Sequence, residues 1–364
     1  MKKIIFYTMA IIIMGLSFDS CVSTSKIRTE NGISEMRYLE INNTKQHLLI
    51  RGKDVKNPVL LFLHGGPGAS ATALMRKYNS VLENDFTIVY WDQRNAGKSY
   101  DKKLPKEEIQ VNKYLKDIDS LTDYLKGRFK VKKIFLVGHS WGARLGMYAI
   151  KRHPENYMAY IGIGQEVAAY QAELLSYRYT LKKAQEAKNT KAIEELKEIG
   201  EPQSGDYRQM YKTGFWGLVK QKEWLLKLGG ERYDRTNYRD WMFSIWFSRE
   251  YSFFDVIKYG KASGFSAGNI INDPDFNNFN FLNQIPKVEV PVFFISGKYD
   301  YNTPWTLVKK YHDRLNAPYK EFIVFDKSGH SPIFEEPERF NKEIIRIFAI
   351  VNSRQNQIKK LTNE

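Results

Sequence analysis

Short runs of consecutive apolar residues alternate along most of this chain with stretches in which apolar residues recur every three or four positions. A short continuous apolar run is typical of a strand buried on both faces, and the wider spacing indicates an amphipathic helix. The apolar runs occupy residues 59–63, 88–90, 134–137, 158–163, 290–296 and 321–325. Because strands that alternate with helices form mainly parallel sheets covered on both faces, the pattern predicts an α/β fold.

The first strands and the last residues follow other patterns. Residues 35–51 alternate apolar and polar side chains around the turn pair Asn42-Asn43, which predicts a hairpin at the edge of the sheet. The polar residues 355–364 are expected to form a frayed tail. Helical spacing predicts helices over residues 106–129, 305–315 and 340–353.

The alternation of strands and helices stops between residues 164 and 284. This segment shows several helical patterns without a convincing buried strand, and it is richer in aromatic residues than the rest of the chain. We therefore predict a helical cap, inserted between two parts of one core at residues 27–163 and 285–354. Most of its aromatic rings should form the core of the cap, and some should wall a pocket.

Composition and charge narrow the classes of function. The chain has 364 residues and a formal net charge of +15. Its Lys and Arg residues are spread along the sequence without a basic block, so a nucleic-acid partner is not expected. The charge is interpreted as a solubility and envelope-surface property.

The N-terminus has the pattern of an export signal. Lys2 and Lys3 precede the apolar run Ile4–Leu16, so residues 1–20 are predicted to be a signal peptide or an anchor. Cys21 is the only cysteine, which excludes an internal disulfide. Its position resembles the lipid-modified cysteine of bacterial lipoproteins, and the alternative is an incidental residue near a cleavage site. We expect an exported protein of the cell envelope, either anchored in a membrane by its N-terminus or periplasmic.

The apolar run at 134–137 leads into the sequence GHSWG, where Ser140 lies between Gly138 and Gly142. A strand that turns sharply into a helix at a serine forms a nucleophile elbow, and only small residues two positions before and after it fit the crowded turn. The amide of Trp141 would then be one donor to an oxyanion. The alternative interpretation is a glycine-rich structural turn.

A serine nucleophile requires a base and an acid that orients the base. Of the six histidines, His330 lies on the loop after the last predicted strand, at the sheet end where open parallel sheets bind ligands. Asp300 follows the strand before it, and Asp326 is the competing acid. In the HGGPG loop, Gly66 is the best second oxyanion donor and Gly65 the next, while His64 is expected to organise the loop.

The motifs HGGPG, WDQRNAGKS, GHSWG, GKYD and SGH, in this order, resemble the proline iminopeptidase branch of the α/β-hydrolases over about residues 35–350. The resemblance implies an eight-stranded sheet with a cap, and Ser140, Asp300 and His330 as a catalytic triad. It also implies release of an N-terminal residue, usually proline, with cap carboxylates binding the free amine.

This chain departs from the family in two places. Asn95, Ala96 and Lys98 replace the usual residues of the DQR motif. In addition, Trp246 is followed by Phe247, where the family often has the glutamate that holds the amine. The carboxylates that could replace that glutamate are Glu166, Glu173, Glu231 and Glu250.

The sequence thus predicts a serine hydrolase that acts through an acyl-enzyme on a peptide or a small acyl substrate. An aminopeptidase for N-terminal proline is the leading hypothesis, with Glu166, Trp246 and Glu250 as substrate-binding candidates. The alternatives are a carboxylesterase for small acyl esters and a non-catalytic ligand-binding relative. The predicted reaction needs neither a metal ion nor an organic cofactor.

Overall fold

The computed structural model describes residues 22–362. The predicted signal at residues 1–20, as well as Cys21, lie outside this range. Within the range, no helix is both long enough and apolar enough to cross a membrane.

Eight strands form one sheet in the order β1-β2-β4-β3-β5-β6-β7-β8. β1 pairs antiparallel with β2, β2 pairs antiparallel with β4, and the remaining neighbours are parallel. The strands are β1 Ile33–Ile41, β2 Thr44–Gly52, β3 Val59–Leu63, β4 Thr87–Asp92, β5 Ile134–His139, β6 Tyr157–Ile163, β7 Val292–Gly297 and β8 Lys320–Phe325. The predicted edge hairpin and the predicted α/β fold are both confirmed.

Alternate residues of the central strands enter two separate cores. Leu61 and Leu63 of β3 belong to one apolar cluster, and Leu60 and Phe62 belong to the other. Helices must therefore cover both faces of the sheet, as the continuous apolar runs predicted. Outside the region between β6 and β7, the α-helices are α1 Thr72–Asn79, α2 Val111–Phe129, α3 Trp141–Arg152, α10 Trp305–Arg314, α11 Pro332–Glu335 and α12 Pro337–Thr362.

Between β6 and β7 the chain forms helices, and we call residues 164–284 the cap segment. Its helices are α4 Ala169–Glu186, α5 Thr190–Ile199, α6 Phe215–Lys227, α7 Arg239–Trp246, α8 Phe253–Ile270 and α9 Phe281–Gln284. Gly200 ends α5 with a φ of 72°, as expected of a glycine after a helix. The cap segment is connected to the sheet through the end of β6 and the start of β7.

The closing helix is longer than its sequence pattern predicted. It begins at Pro337 and continues to Thr362, so the expected frayed tail at 355–364 is wrong for the described residues. Pro is favoured in the first helical turn, and no Gly or Pro follows that would stop the helix.

Candidate active site

Ser140 lies at the turn between β5 and α3 with φ of 55° and ψ of −119°, a conformation that non-glycine residues rarely adopt. The turn is tightly packed on both sides. A Cβ atom on Gly142 would lie 2.1 Å from the carbonyl oxygen of Leu63, and one on Gly138 would lie 2.4 Å from the carbonyl oxygen of Gly142. These two contacts explain why the sequence has glycine on either side of the serine.

Two backbone amides are available near Ser140 for an anionic oxygen. Trp141 is the first residue of α3, and an amide in the first helical turn has no intrahelical acceptor. Gly66, with a φ of 122°, lines the same cavity as Ser140. Its neighbour Gly65 is also close, since a Cβ atom there would lie 3.3 Å from Cβ of Ser140.

His330 and Asp300 meet on the loops that follow β8 and β7. Nδ1 of His330 lies 3.0 Å from Oδ2 of Asp300, and both side chains are buried. Thr303 donates to the same carboxylate through its hydroxyl at 2.7 Å and its amide at 2.8 Å. Because Asp300 can only accept when it is ionised, Nδ1 of His330 carries the proton and Nε2 has a free lone pair.

The Nε2 atom of His330 is buried without a hydrogen-bond partner among the described residues. The histidine ring packs against Gly164, where a Cβ atom would lie 2.9 Å from its Cε1. The residue before this glycine, Ile163, accepts the amide hydrogen of Ser140 at 2.9 Å. Ser140 and His330 therefore flank the same point at the end of β6.

The pKa values of two neighbouring histidines move in opposite directions. Burial by itself lowers the pKa of His330, but the charge of Asp300 and the hydrogen bond to it outweigh burial and raise this pKa above its ordinary value. Burial lowers the pKa of His139 to about 3. The Nε2 atom of His139 lies 3.0 Å from the carbonyl oxygen of His330, so His139 supports the loop as a neutral ring.

The loop that carries Gly66 is fastened by His64, as the sequence predicted. The Nδ1 atom of His64 lies 2.7 Å from the carbonyl oxygen of Gly65, and its Nε2 accepts the amide hydrogen of Gln93 at 3.1 Å. Gln93 also donates its side-chain amide to the carbonyl oxygen of His64 at 2.9 Å. The DQR motif thus holds the HGGPG loop in place beside Ser140.

Asp326, the competing acid, lies on the surface. Its side chain is 69% exposed and makes ion pairs at 3.9 Å with Lys298 and Arg339. The structure brings Asp300, and not Asp326, to His330.

A cavity of about 200 Å³ opens above Ser140, with Gly66 and Thr303 also in its wall. The cap segment supplies most of the remaining lining, and that lining is mainly apolar. Its larger apolar members are Phe215, Leu218, Ile270, Ile271, Phe276 and Phe279.

Two carboxylates of the cap segment line the cavity, and each is ion-paired. Glu166 accepts from Nε of Arg144 at 2.5 Å, and the Arg144 guanidinium is buried over the Phe279 ring. Glu173 accepts from Nζ of Lys222 at 2.7 Å and from the Tyr211 hydroxyl at 2.8 Å. The cavity therefore contains matched charges within an apolar wall.

Two of the predicted substrate-binding residues lie elsewhere, which corrects the expectation. Glu250 is held by Arg76 at 3.1 Å and by the Ser248 hydroxyl at 2.8 Å, away from the cavity lining. Trp246 is 47% exposed on the outer side of α7 and packs against Phe253. Neither residue is in the cavity wall, because α7 itself packs against α1, and Arg76 of α1 holds Glu250.

The backbone of the cap segment contacts both loops that carry the histidine and the aspartate. The carbonyl oxygen of Glu231 accepts the amide hydrogen of His330 at 2.7 Å, and that of Gly230 accepts the amide hydrogen of Tyr301 at 2.8 Å. The Glu231 carboxylate accepts from Tyr238 and, at 3.5 Å, from the Asn302 amide.

Sequence reasoning missed three groups of this site. Thr303 could have been found, because a threonine three residues after an aspartate is a common turn partner. Arg144 and Lys222 gave no comparable signal, since an isolated cation on a helix usually faces solvent.

Residues 58–337 match the family described as the alpha/beta hydrolase fold. The probable aminopeptidase YbaC of Bacillus subtilis (strain 168) is 33% identical over 321 residues, which cover 88% of this chain and 98% of that protein. The proline iminopeptidase of Heyndrickxia coagulans is 25% identical over 287 residues, 78% of this chain and 87% of that protein.

The crystal structure of the proline iminopeptidase of Mycobacterium smegmatis shares the fold, with a TM-score of 0.62 at 13% identity, covering 88% of this chain and 100% of that one. These similarities confirm the resemblance that the motifs indicated. The chain therefore belongs to the α/β-hydrolase family and is a hydrolase related to aminopeptidases.

Proposed function

We propose that the protein is a serine hydrolase in which Ser140 is the nucleophile, His330 the base and Asp300 the residue that orients the base. The observation that carries the proposal is the state of His330. Its Nδ1 is engaged by Asp300, while its buried Nε2 has no partner among the described residues. Its ring lies against Gly164, next to the residue whose carbonyl oxygen accepts the Ser140 amide hydrogen. A base with one nitrogen fixed and the other free is ready to accept a proton from a serine.

In the proposed reaction, Oγ of Ser140 attacks the substrate carbonyl carbon as its proton passes to Nε2 of His330. The carbonyl oxygen becomes an oxyanion that accepts from the amides of Trp141 and Gly66. The imidazolium then gives its proton to the leaving amine or alcohol, and the acyl group remains on Ser140. Water, activated by the same nitrogen, releases the acid and restores the serine.

For the substrate, we propose release of an N-terminal residue, with proline preferred. The support is the name of the relatives, together with two carboxylates that face a small, mainly apolar cavity. A proline ring fits apolar walls, and its secondary ammonium would be held by Glu166 or Glu173. Glu166 and Glu173 line the same small cavity as Ser140. An ammonium bound to either carboxylate would therefore lie close to the carbonyl carbon that the serine attacks. Amine and carbonyl are this close in an N-terminal residue, which favours exopeptidase over endopeptidase cleavage.

A carboxylesterase activity is the second candidate, and one observation favours it. Glu166 is already neutralised by Arg144, and Glu173 by Lys222. A substrate ammonium would have to share those carboxylates with the cations, whereas an uncharged ester would not.

The first experiment is labelling with a fluorophosphonate probe, which should modify the wild type and spare Ser140→Ala. Equal labelling of both would show that Ser140 is not the nucleophile. The second compares Pro-naphthylamide, N-acetyl-Pro-naphthylamide and p-nitrophenyl acetate. A preference for the free imino group supports the aminopeptidase, and a preference for the blocked amide or the ester contradicts it.

We also propose that the protein is exported and held at the cell envelope by its N-terminus, through lipidation of Cys21. The support is the sequence alone, namely the basic start, the apolar run Ile4–Leu16 and the cysteine after it. Incorporation of radiolabelled palmitate should be lost in Cys21→Ala. Incorporation that survives this change would exclude lipidation at that residue.

A further inference from the structure

Large apolar side chains are exposed together on α7 and on the first turns of α8. We call this surface the aromatic face, and it consists of Met242, Phe243, Trp246, Phe247, Phe254 and Ile257. Phe247 is 82% exposed and Phe243 is 64% exposed. Their rings stack on each other with centroids 6.4 Å apart.

Folding of the chain does not account for this surface. The same two helices already bury an apolar side, with Trp241, Ile245 and Val256 packed in the core. A helix at the surface of a soluble protein normally has polar residues opposite its buried stripe. Exposed apolar patches of this kind mark sites of interaction with another protein or with a membrane.

The described chain begins beside the aromatic face. The amide of Ser23 donates to the carbonyl oxygen of Arg249 at 3.1 Å, and the hydroxyl of Thr24 lies 3.5 Å from Oε1 of Glu250. Nη1 of Arg51 fixes the same segment from the core side, through the Thr24 hydroxyl at 2.6 Å. Residues 1–21, which contain the apolar run, are therefore attached to a segment that lies beside the loop between α7 and α8.

The exposed charges around the aromatic face are mainly positive, and the one partly exposed acid of α7, Asp240, is paired with Arg232. Between residues 242 and 261, the exposed charged side chains are Arg249, Lys258 and Lys261. The two acids of this range, Glu250 and Asp255, are buried, and Arg76 and Lys98 pair with them. Lys77 of α1 adds another cation next to α7, with its Nζ 2.8 Å from the Ser244 hydroxyl.

The combination of exposed aromatic rings and exposed cations favours an anionic membrane as the partner. Aromatic rings surrounded by lysine and arginine match the interface of an anionic bilayer, where rings insert among the headgroups and cations meet phosphate groups. A second copy of the chain fits less well, because symmetric pairing of this surface would bring the cations of both copies together.

We propose that the aromatic face lies on an anionic lipid surface, next to the point where the N-terminal residues leave the folded protein. Phe243, Trp246 and Phe247 enter the interface, and Arg249, Lys258 and Lys261 contact lipid phosphates. None of the six residues of the aromatic face lines the cavity above Ser140, and the proposal does not depend on the identity of the nucleophile.

The test places an environment-sensitive NBD label at the face of the full chain. Cys21→Ala removes the single cysteine, and Phe247→Cys introduces one for labelling. The matched control carries Trp216→Cys instead, because Trp216 of α6 is 75% exposed outside the aromatic face. With vesicles containing 30% phosphatidylglycerol in phosphatidylcholine, the emission of the label at 247 should shift to the blue and intensify, and that at 216 should not.

A second measurement compares vesicle flotation in the Cys21→Ala background, where any contribution of residues 1–20 is constant. Phe243→Ser with Phe247→Ser should weaken partitioning at least about tenfold, because two large apolar side chains no longer enter the interface. Trp216→Ser should leave partitioning unchanged. A thermal unfolding midpoint equal to that of the Cys21→Ala parent would show that each variant is folded.

Three outcomes would overturn the proposal. The label at 247 could remain in water while the protein floats, or both labels could respond equally. Alternatively, the label at 247 could shift to the blue without vesicles as the protein concentration rises, which would identify a second copy of the chain as the occupant.

Discussion

Ser140, Asp300 and His330 lie on loops that follow three strands of one sheet, whereas the carboxylates on the opposite side of the cavity lie in the cap segment. The sheet loops are fixed by close backbone contacts, such as that of Gly142 with Leu63. The cap carboxylates are fixed by ion pairs between side chains. Backbone packing of the fold thus sets the positions of Ser140, Asp300 and His330, while side-chain pairs of the cap segment set the charges that line the cavity.

The largest effect that tests this comparison is expected at the aspartates of the sheet loops. Asp300→Asn should lower kcat about 10⁴-fold, because an amide cannot hold His330 in the tautomer that leaves Nε2 free. Asp326→Asn should leave kcat unchanged, since Asp326 is exposed and away from His330. Steady-state kinetics with p-nitrophenyl acetate measure both, and a loss at Asp326 equal to that at Asp300 would contradict the assignment.

The second test compares one glycine from each region by thermal unfolding. Gly142→Ala should lower the free energy of unfolding by about 3 kcal/mol or more, because the new Cβ would lie 2.1 Å from a backbone oxygen. Gly264→Ala, in α8, meets nothing within 4 Å and should raise it by about 0.5–1 kcal/mol through helix propensity. A stable Gly142→Ala variant would show that the elbow is less constrained than its geometry indicates.

A third test addresses the carboxylates of the cap segment. Glu166→Gln should raise KM for Pro-naphthylamide about tenfold by removing a charge that holds the ammonium, and KM for p-nitrophenyl acetate should not change. The control is Glu250→Gln, which removes a carboxylate held by Arg76 outside the cavity. An unchanged KM for Pro-naphthylamide in Glu166→Gln would remove Glu166 from the amine site.

The smallest effect concerns the pH dependence of kcat/KM. The base must be neutral, and the pKa of His330 is raised, so activity should fall on the acid side with a midpoint above the ordinary histidine value of about 6.5. In Asp300→Asn the charge that raises this pKa is gone while burial still lowers it, so the midpoint should move to lower pH. A pH profile of each enzyme measures the shift, and a wild-type midpoint below 6.5 would contradict the expected direction.

The strands and the loop residues of the core could be predicted because residues close together in the sequence determine them. A short, continuous apolar run such as residues 134–137 is typical of a buried strand, and the glycines near Ser140 indicate the turn that follows it. The meeting of Asp300 with His330 followed from one further rule, that parallel strands bring their carboxyl ends to the same edge.

The cap could not be predicted to the same depth, because its side-chain contacts join residues far apart in the chain. Nothing near Glu173 indicates that Lys222 will neutralise it, and nothing near Glu250 indicates that Arg76 will hold it away from the cavity. An aromatic residue likewise gives the same sequence signal in a core and on a surface. Trp246 was therefore expected in the pocket and is found on the outside.

The hydrogen bonds from the backbone of Gly230 and Glu231 to Tyr301 and His330 have a consequence for motion. A rigid-body opening of the whole cap would break them and remove a support of the His330 loop. An opening that kept these bonds would leave residues 230–231 with the sheet and would move only other parts of the cap segment. Such an opening would expose the cavity while the contact between His330 and Asp300 stayed in place.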